Sequence, residues 1–480
     1  RVRGTTSLTG GNDPMVIIDG VFGDLNMLNA ISPADIENFT VLKDASETAQ
    51  YGSRGASGVI VVTTVKGKNG VKSMSYDGSF CIESVYKNLD MLSAAEYRSV
   101  AQERGISILD KGANTNFIEE MQRTGYTQNH RLSFSNGNDD SNYRASIGVI
   151  DQKGILKNNS MRNYTAKLDA MQNMFKNKLK IEFGMFGSLK QSRYINDYQK
   201  TFYSAASFNP TFPNVVNPET GMWDENANAN EVQNPLGRLS INDRENNVFI
   251  NTNARITWSI IPDLKLSAFG SYTYNVKENM KYIPSTIKAG LSNRGEAYRG
   301  DNKSQSLLGN LMLTYKKAFG KHYINALGLA EVQRVINTGF GANVHGFSSD
   351  DFGYNNLQAG AVLKWGDNTS YHNNPSLSSF MGRVNYSYAD KYIVTLNART
   401  DGSSKVGANN KWAFFPSASV AWVASQEGFM KDFEMINNLK LRAGYGLAGN
   451  QDAISSYNSL SLMSPNGTTT VNGLPVVTMG

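Results

Sequence analysis

The sequence has few of the features that several large protein classes depend on. Its 480 residues include one cysteine, Cys81, so no disulfide can form within the chain. Proline (12) and histidine (4) are also scarce. No run of about eighteen or more apolar residues occurs, which excludes a candidate transmembrane helix. The four histidines lie far apart without zinc-site spacing, so the sequence predicts no metal site.

Motifs for catalysis and for nucleic-acid binding are missing as well. No serine stands in a G-x-S-x-G elbow, and no Ser/His/Asp set rises above chance. The 47 basic and 41 acidic residues are dispersed along the chain, without the basic stripe that nucleic-acid binding requires. We therefore predict a protein that is not an enzyme, has no cofactor and does not bind nucleic acid.

Polarity alternates residue by residue from about Ser73 onward. Between Asn253 and Ile260 the apolar residues are Ala254, Ile256, Trp258 and Ile260, and each is followed or preceded by a polar one. The same pattern recurs in 143–149, 179–185 and 392–399. A transmembrane β-barrel has this pattern and a low average hydropathy, here −0.39. A soluble β-sandwich would also alternate, so the pattern alone leaves both open.

The connections between the predicted strands alternate between short and long. Short turns are followed by long connections near 87–126, 191–247, 276–302 and 335–376, an asymmetry that is typical of outer-membrane barrels. The first long connection contains a predicted helix over 92–105, with Ser93 as N-cap and Glu96 as its capping-box partner. We predict about thirteen strands, an odd number that indicates an incomplete barrel. Because the chain starts at Arg1 without a signal segment, we expect it to be part of a longer protein.

Residues 1–70 have a different pattern. Two apolar runs, Met15 to Ile18 and Gly58 to Val62, flank a helix-like segment and the glycine-rich GSRGASG turn. That turn lacks the Gly-Lys-Ser/Thr ending of a phosphate-binding loop, so a tight turn is a better interpretation than a nucleotide site.

Several motifs in order along the chain resemble one family. The motifs are IDGV, IENFTVLKDASETAQYGSRGASGVIVVTT, LSAAEYR, QNHRLSFSNGNDDSNYRASIGVIDQKGIL and DGSSKVGANNKWAFFPSASVAW. They resemble the SusC/RagA family of TonB-dependent outer-membrane receptors. The resemblance implies a mainly β fold: the C-terminal half of a small α+β plug domain (1–70), then a transmembrane antiparallel β-barrel (71–480). The complete family barrel would have about twenty-two strands around the plug.

The same resemblance implies a function. It is TonB-dependent active import of a nutrient oligomer across the bacterial outer membrane, with a glycan favoured over an oligopeptide. The implied partners are a SusD-like surface lipoprotein that acts as a lid, the TonB complex acting through an upstream segment, and outer-membrane lipids. A passive porin or surface adhesin is one alternative, and a soluble carbohydrate-binding β-protein is another.

The plug motif supplies the candidate gating residues. They are Asp19, Gly20, Asp35, Glu37, Lys43, Asp44, Tyr51, Gly52, Arg54 and Gly55. We expect the charged ones to make wet contacts with the polar barrel wall, each worth about 0–1 kcal/mol, so that pulling can break them in sequence. The alternative is that they are ordinary solvated charges.

Aromatic residues give two further predictions. In the long connections, Trp223, Phe212, Trp365, Tyr354 and Tyr371 are candidate substrate contacts, or alternatively members of small cores inside the loops. At the strand ends, an interfacial aromatic girdle is predicted from Tyr143, Trp258, Tyr272, Tyr388, Tyr392 and Trp422, with core packing of a soluble β-protein as the alternative.

Overall fold

The fold is taken from a computed structural model of the chain. It describes residues 11–67, 70, 72–226, 230–430, 435–463, 465–472 and 474–479. The first ten residues of the predicted plug therefore lie outside the described residues.

The N-terminal unit is a small mixed sheet with two short helices. Its spatial order is β2-β1-β4-β3, with β1 parallel to β4 and the other pairs antiparallel. The apolar sequences MVII and VIVVTT form the two central strands, which are buried on both faces. The elements are β1 (Met15–Ile18), β2 (Val21–Gly23), α1 (Leu25–Ala30), β3 (Ile36–Leu42), α2 (Ala45–Thr48) and β4 (Val59–Thr64).

A two-residue Asp-Gly turn joins β1 to β2. Asp19 and Gly20 both have positive φ, 52° and 93°, as a type I′ hairpin turn requires. The Asp19 carboxylate accepts hydrogen bonds from the backbone N–H and the hydroxyl of Thr64, at 3.1 and 2.5 Å. The turn is therefore tied to the end of β4 as well as closing the hairpin.

Replacing Gly20 with alanine is expected to destabilise this hairpin by about 1–2 kcal/mol, because a Cβ at this φ is strained. The added Cβ would also lie 2.8 Å from Nη2 of Arg255, which belongs to the large sheet formed by the rest of the chain. Hydrogen exchange of the β1 and β2 amides in the full-length protein measures the effect. Gly187→Ala is the matched control, since its Cβ meets nothing within 4 Å. Equal exchange rates in the two variants would contradict the prediction.

The rest of the chain is dominated by one antiparallel sheet, which we call the wall. Its main path runs through thirteen strands from β5 to β19, as predicted, and β14 and β15 pair with β13 beside that path. A separate hairpin is formed by β20 and β21. The strands are β5 (Ser73–Glu83), β6 (Gly125–Gly137), β7 (Ser141–Lys153), β8 (Ser160–Met174), β9 (Leu179–Tyr194), β10 (Asn242–Ile261), β11 (Leu264–Ile283), β12 (Glu296–Phe319), β13 (His322–Phe347), β14 (Gly360–Val362), β15 (Asn368–Asn373), β16 (Ser376–Tyr388), β17 (Tyr392–Ser403), β18 (Trp412–Val423), β19 (Lys440–Gly446), β20 (Pro465–Val471) and β21 (Leu474–Met479).

The two faces of this sheet differ in polarity, as the alternating sequence predicts. On β10, Ile256 and Trp258 are 47 and 50% exposed on the outer face, whereas Asn251 is 4% exposed on the inner face. The inner face curves around the N-terminal unit, which we call the plug. The outer face carries a continuous apolar surface, as a lipid-facing wall would.

Short turns and longer connections alternate along the sheet, but two of the long connections are shorter than predicted. Strand β11 continues to Ile283 and β12 begins at Glu296, so most of the connection predicted at 276–302 consists of these two paired strands. Likewise β13 runs to Phe347 and pairs with β15, both inside the connection predicted at 335–376. The strands continue because the extended parts of β11, β12 and β13 carry apolar residues, among them Met280, Tyr282 and Val344, that pack in a core of their own.

The long connections contain the remaining helices. The first of them, α3, has the predicted capping box between Ser93 and Glu96. The helices are α3 (Ala94–Glu103), α4 (Phe117–Glu120), α5 (Tyr198–Ser207), α6 (Pro235–Leu239) and α7 (Lys288–Leu291). Among the described residues, no helix is both long and apolar enough to cross a membrane.

The hydrophobic core of the plug is shared with the wall. Ile18, Val21 and Met27 of the plug pack against Phe186 and Phe249, which point inward from β9 and β10. Phe269 and Leu308 extend this contact along β11 and β12. The plug thus has apolar attachment on one side of the wall, and its charged contacts lie elsewhere.

Candidate functional site

A tight turn carries the plug residues that meet the wall most closely. After α2, residues 49–54 form a 3₁₀ segment that is broken at Gly52, where φ is +56°. A side chain at Gly52 would collide with Asp401 and Arg399 of β17, so only glycine allows this approach. The Gly52 carbonyl also accepts a hydrogen bond from the backbone N–H of Gly449, at 3.1 Å.

This turn delivers Arg54 to the inner face of β13. Its Nη2 lies 2.5 Å from Glu331 Oε1, and its Nη1 donates to Gln333 Oε1 at 2.6 Å. The guanidinium also stacks 4.2 Å above the ring of Phe22, within the plug. Burial lowers the pKa of Arg54, and the carboxylate of Glu331 opposes that shift and favours the charged form.

Glu331 is shared with a second arginine from the wall. Arg399 Nη2 lies 3.2 Å from the same Glu331 oxygen, and Arg399 Nε lies 2.7 Å from Asp401 Oδ1. The other Asp401 oxygen accepts from the backbone N–H of Ser53, at 2.7 Å. We call Arg54, Glu331, Arg399 and Asp401 the Arg54 cluster. Beside it, burial raises the pKa of the Tyr51 hydroxyl.

A second buried cluster lies across the plug. Asp35, at the start of β3, is 3% exposed and is paired with Arg131 of β6. Arg144 Nε of β7 lies 4.0 Å from Asp35, and the Ser146 hydroxyl donates to it at 3.4 Å. We call Asp35, Arg131, Arg144 and Ser146 the Asp35 cluster.

These two clusters correct the expectation that the plug charges make weak, wet contacts. The side chains of Arg54 and Glu331 are 7 and 3% exposed, and those of Asp35 and Arg131 are both 4% exposed. A buried pair is costly to break because one charge is left unpaired, about 3–5 kcal/mol in measured cases. The wall encloses these side chains on the inner face, which removes the solvent screening assumed from sequence.

The other predicted plug residues have different surroundings. Glu37, Lys43 and Asp44 are exposed, and none of them is a member of either cluster. Gly55 packs its Cα against the carbonyl of Thr48, so it shapes the turn. The structure therefore brings Tyr51, Gly52 and Arg54 together, and places Asp19, Gly20 and Asp35 at other points of the plug surface.

Sequence reasoning missed the wall half of both clusters. The predicted site residues do not include Glu331, Asp401, Arg131, Arg144 or Arg399. The available signal is a charged residue at an inward-facing position within a strand. A charge there has to find a partner, because the inner face is filled by the plug.

Two cavities lie between plug and wall. One of about 350 Å³ adjoins the Arg54 cluster, and one of about 330 Å³ lies beside α1 and the Asp35 cluster. Both have polar and apolar walls. The first is lined by residues that include Met15, Phe22, Arg54, Gln333, Leu377 and Lys405, and the second by residues that include Leu28, Ile36, Phe39, Asn129, Arg131 and Thr165.

The candidate substrate aromatics divide into buried and exposed residues. Phe212 is 0% exposed in a core formed by α4, α5 and their loops, and Tyr354 is buried in a second loop core. Neither can contact a ligand in this arrangement, which corrects the prediction, because both rings fill the interior of folded loops. Trp223 packs against Gly237 between two connections. Trp365 and Tyr371 are about half exposed, and the Tyr371 hydroxyl donates to Asn302 at 3.0 Å.

Comparison with known proteins identifies the plug and the relatives of the whole chain. Residues 1–59 match the family described as TonB-dependent Receptor Plug Domain. TonB-dependent receptor P3 of Formosa agariphila is 34% identical over 474 residues, covering 97% of this chain and 46% of the relative. TonB-dependent receptor SusC of Bacteroides thetaiotaomicron is 34% identical over 489 residues, covering 94% of this chain and 48% of the relative.

The chain belongs to the SusC/RagA family of TonB-dependent receptors. The solved RagAB peptide transporter agrees in fold, with a TM-score of 0.83 at 21% identity, covering 99% of this chain and 58% of that one. The receptor chain spans about half the length of the curated relatives it matches. Both relatives are named as receptors rather than as enzymes.

A half-buried carboxyl group joins two long connections of the receptor. Glu225 Oε2 accepts the backbone N–H of Asn234 at 2.6 Å, and the carboxylate also accepts from the backbone of Lys288 in α7. Burial raises the pKa of Glu225 to about 7, against the lowering effects of these two hydrogen bonds and of the Lys288 and Arg238 charges. Asn234 is also the N-cap of α6, so the contact positions that helix.

This carboxyl makes the packing of the two connections dependent on pH. Between the ordinary value near 4.5 and about 7 the packed form holds a proton that the opened form has lost. The stability of the packed form is therefore expected to fall as the pH rises through that window, and to level off above it. Hydrogen exchange of the Asn234 and Lys288 amides at pH 5.5 and 8 measures this difference. Glu225→Gln should remove the dependence and exposed Glu219→Gln should retain it, whereas an unchanged profile in Glu225→Gln would contradict the assignment.

Proposed function

We propose that the full-length receptor actively imports a nutrient oligomer across the bacterial outer membrane, with TonB supplying the work. The observation that carries the proposal is the attachment of the plug inside the wall by two buried ion clusters. A plug held in this way blocks passive flow, and several kcal/mol of work per cluster would be needed to release it. The family membership and the lipid-compatible outer face support the location.

The proposed gating residues are the plug members of the clusters and the turns that position them. Arg54 and Asp35 hold the plug, Gly52 and Gly55 shape the turn that delivers Arg54, and Asp19 with Gly20 fix the β1–β2 hairpin. Tyr51 packs beside the Arg54 cluster. The exposed residues Glu37, Lys43 and Asp44 remain candidates for contacts made during plug movement.

Removal of the TonB system is the direct test. Uptake should stop in cells that lack it, and the receptor should remain in the outer membrane. Uptake that continues unchanged would favour the first alternative, a passive porin or a surface adhesin. Heat-modifiable migration and solubility only in detergent would separate a membrane barrel from a soluble carbohydrate-binding β-protein.

The cargo is proposed to be a glycan in preference to an oligopeptide. Exposed Trp365 and Tyr371 lie among polar side chains, a combination that suits stacking on sugar rings and hydrogen bonding to hydroxyls. An oligopeptide is the second candidate because RagAB, which has the same fold, is a peptide transporter. Binding of glycan oligomers and peptides to the purified receptor, with Trp365→Ala and exposed Tyr203→Ala compared, distinguishes them.

A SusD-like surface lipoprotein is the proposed lid over the long connections. Exposed apolar side chains there include Val215, Leu291, Leu363 and Trp365, which are surfaces that a partner could cover. Co-purification of the receptor with the lipoprotein encoded beside its gene tests this partner. Recovery of the receptor alone under mild detergent would contradict it.

A further inference from the structure

Two arginines face each other across neighbouring strands on the outer face of the wall. Arg193 of β9 and Arg244 of β10 are direct cross-strand partners. The strand next to each residue fixes its direction: Ser192 is buried on the inner face and Phe249 packs on the plug, so alternation turns both arginines outward. We call Arg193 and Arg244 the outer arginine pair. Like charges directly opposite each other in a sheet are destabilising.

The surroundings of the pair do not compensate this repulsion. Among the described residues, neither guanidinium has a carboxylate at salt-bridge distance, and the Arg244 Nε donates to the neutral amide oxygen of Asn242 at 3.0 Å. The Arg193 Nε is buried without a partner. The charges that act on Arg193 come from Arg244 and Arg123, beside the neutral hydroxyl of Tyr354, and no carboxylate is among them.

The acidic side chains of this region are engaged elsewhere. Two carboxylates one outward position closer to the apolar band each have their own arginine, in the pairs Asp151–Arg162 at 2.9 Å and Glu278–Arg299 at 2.7 Å. The acidic residues beside Arg244 on its own strand, Asp243 and Glu245, alternate onto the inner face. An anion from outside the chain would therefore complete the arrangement.

The register of the sheet places the outer arginine pair just beyond the apolar band of the wall. The last aromatic and aliphatic row crosses β8, β9 and β10 at Tyr164, Leu189 and Val248, and the two arginines lie four residues farther along their strands. Four residues span about 13 Å, or roughly 10 Å along the membrane normal for a tilted strand. A headgroup layer is roughly 5–8 Å thick, and arginine stems can reach back toward it. The pair is thus at headgroup level, at the end of the wall that carries the long connections.

We infer that the outer arginine pair binds a phosphate group of a lipid in the outer leaflet of the outer membrane. A phosphate between two guanidinium groups replaces their repulsion with charge-assisted hydrogen bonds, which arginine can make in bidentate form. Lys153 lies on the same outward row, and Arg123, which is held by the carbonyls of Gly154 and Asn159, adds a further positive charge. The inference rests on the proposed location in the outer membrane, but not on the cargo or on TonB.

The test uses the full-length receptor in phosphatidylcholine bilayer discs that contain either lipid A or lipid A from which the phosphates have been removed. Mass spectrometry of the extracted receptor counts the lipid A that each receptor retains. Arg193→Gln/Arg244→Gln should reduce retention about 25-fold, at about fivefold for each positive charge near a lipid surface. Removing the phosphates should lower retention by the parent to a similar extent. Lys176→Gln/Lys178→Gln is the matched control, because it removes two exposed charges at the opposite end of the wall and should leave retention unchanged.

The repulsion within the pair gives a second readout, which a merely structural role would not give. In discs with dephosphorylated lipid A, the double glutamine variant should resist urea at least as well as the parent, whereas with intact lipid A the parent should be the more stable. A variant that is less stable in both discs would assign the arginines to the fold.

Three further outcomes would overturn the inference or its basis. Equal retention by the parent and the glutamine variant would exclude phosphate binding by the pair while leaving the membrane barrel intact. Displacement of lipid A by millimolar inorganic phosphate would assign the pair to a soluble anion. Failure of the parent receptor to enter bilayers would instead contradict the proposed location, so the two failures are distinguishable.

Discussion

Replacing Glu331 with methionine is expected to weaken the attachment of the plug by about 3–5 kcal/mol. Glu331 is the shared acceptor of the Arg54 cluster, with Arg54 at 2.5 Å and Arg399 at 3.2 Å. Methionine has a similar length but accepts no strong hydrogen bond, so two buried guanidinium groups lose a carboxylate at once. Asp401 still pairs with Arg399, whereas Arg54 keeps only the neutral contacts with Gln333 and the ring of Phe22.

Protease protection of the plug measures this effect in the full-length receptor. Cleavage within residues 45–60 is followed as urea is increased, and the midpoint of protection should fall for Glu331→Met. Glu37→Gln changes an exposed plug charge and should stay within about 0.5 kcal/mol of the parent.

The double variant Arg54→Met/Glu331→Met tests whether the loss comes from leaving a buried charge unpaired rather than from a change in side-chain packing. Replacement of a buried pair by apolar side chains of similar size often costs little, because no charge is left unpaired. The double variant should therefore recover most of the protection lost in Glu331→Met. A parent-like midpoint in Glu331→Met, or a double variant worse than the sum of the singles, would contradict the role given to the cluster.

If the plug is released more easily, the barrier to small molecules should weaken too. Cells that carry Glu331→Met are expected to become more sensitive to antibiotics that the outer membrane normally excludes. The double variant should bring that sensitivity back toward the parent. This outcome would connect the buried pair to gating, which the attachment measurement alone does not do.

The architecture could be predicted because local sequence patterns determine the strands and the turns that join them. Residues such as Ile256 and Trp258 alternate with polar neighbours, and an alternating strand must place them on one face. Turn residues close consecutive strands with few choices of register. The thirteen-strand path follows from those two signals alone.

Only the plug residues of the candidate site could be predicted from the sequence. Arg54 stands out in the plug motif, but its partner Glu331 lies 277 residues away, and no local pattern predicts which part of β13 meets the plug. Burial was misjudged for the same reason: the solvent around Arg54 is removed by β13 and β17, which sequence does not place beside it. The fate of Phe212 shows a similar limit, since a ring in a long connection can face a ligand or fill a loop core.

Substitution of Ile256 by arginine is expected to lower the stability of the receptor in a bilayer by about 2–4 kcal/mol, the cost of a cation on the lipid face near the midplane. Ile256 is on the outer face of β10, and its cross-strand neighbours are Ile181 and Ala268, both apolar. The next outer-face positions, Trp258, Leu266 and Phe183, are apolar as well and cannot compensate the new charge. Leu396→Arg on β17 repeats the experiment at a second outer position, which is 53% exposed.

Thr257→Arg is the matched control, because Thr257 directly follows Ile256 on β10 and its side chain points to the inner face. Its hydroxyl shares only a 3.1 Å hydrogen bond with Ser267, so its replacement should cost about 1 kcal/mol or less. Urea-induced unfolding from lipid vesicles and heat-modifiable migration report the two effects. Equal losses for Ile256→Arg and Thr257→Arg would mean that both faces of β10 meet the same surroundings. In that case the apolar outer face is not in contact with lipid, and the proposal of outer-membrane import would lose its basis.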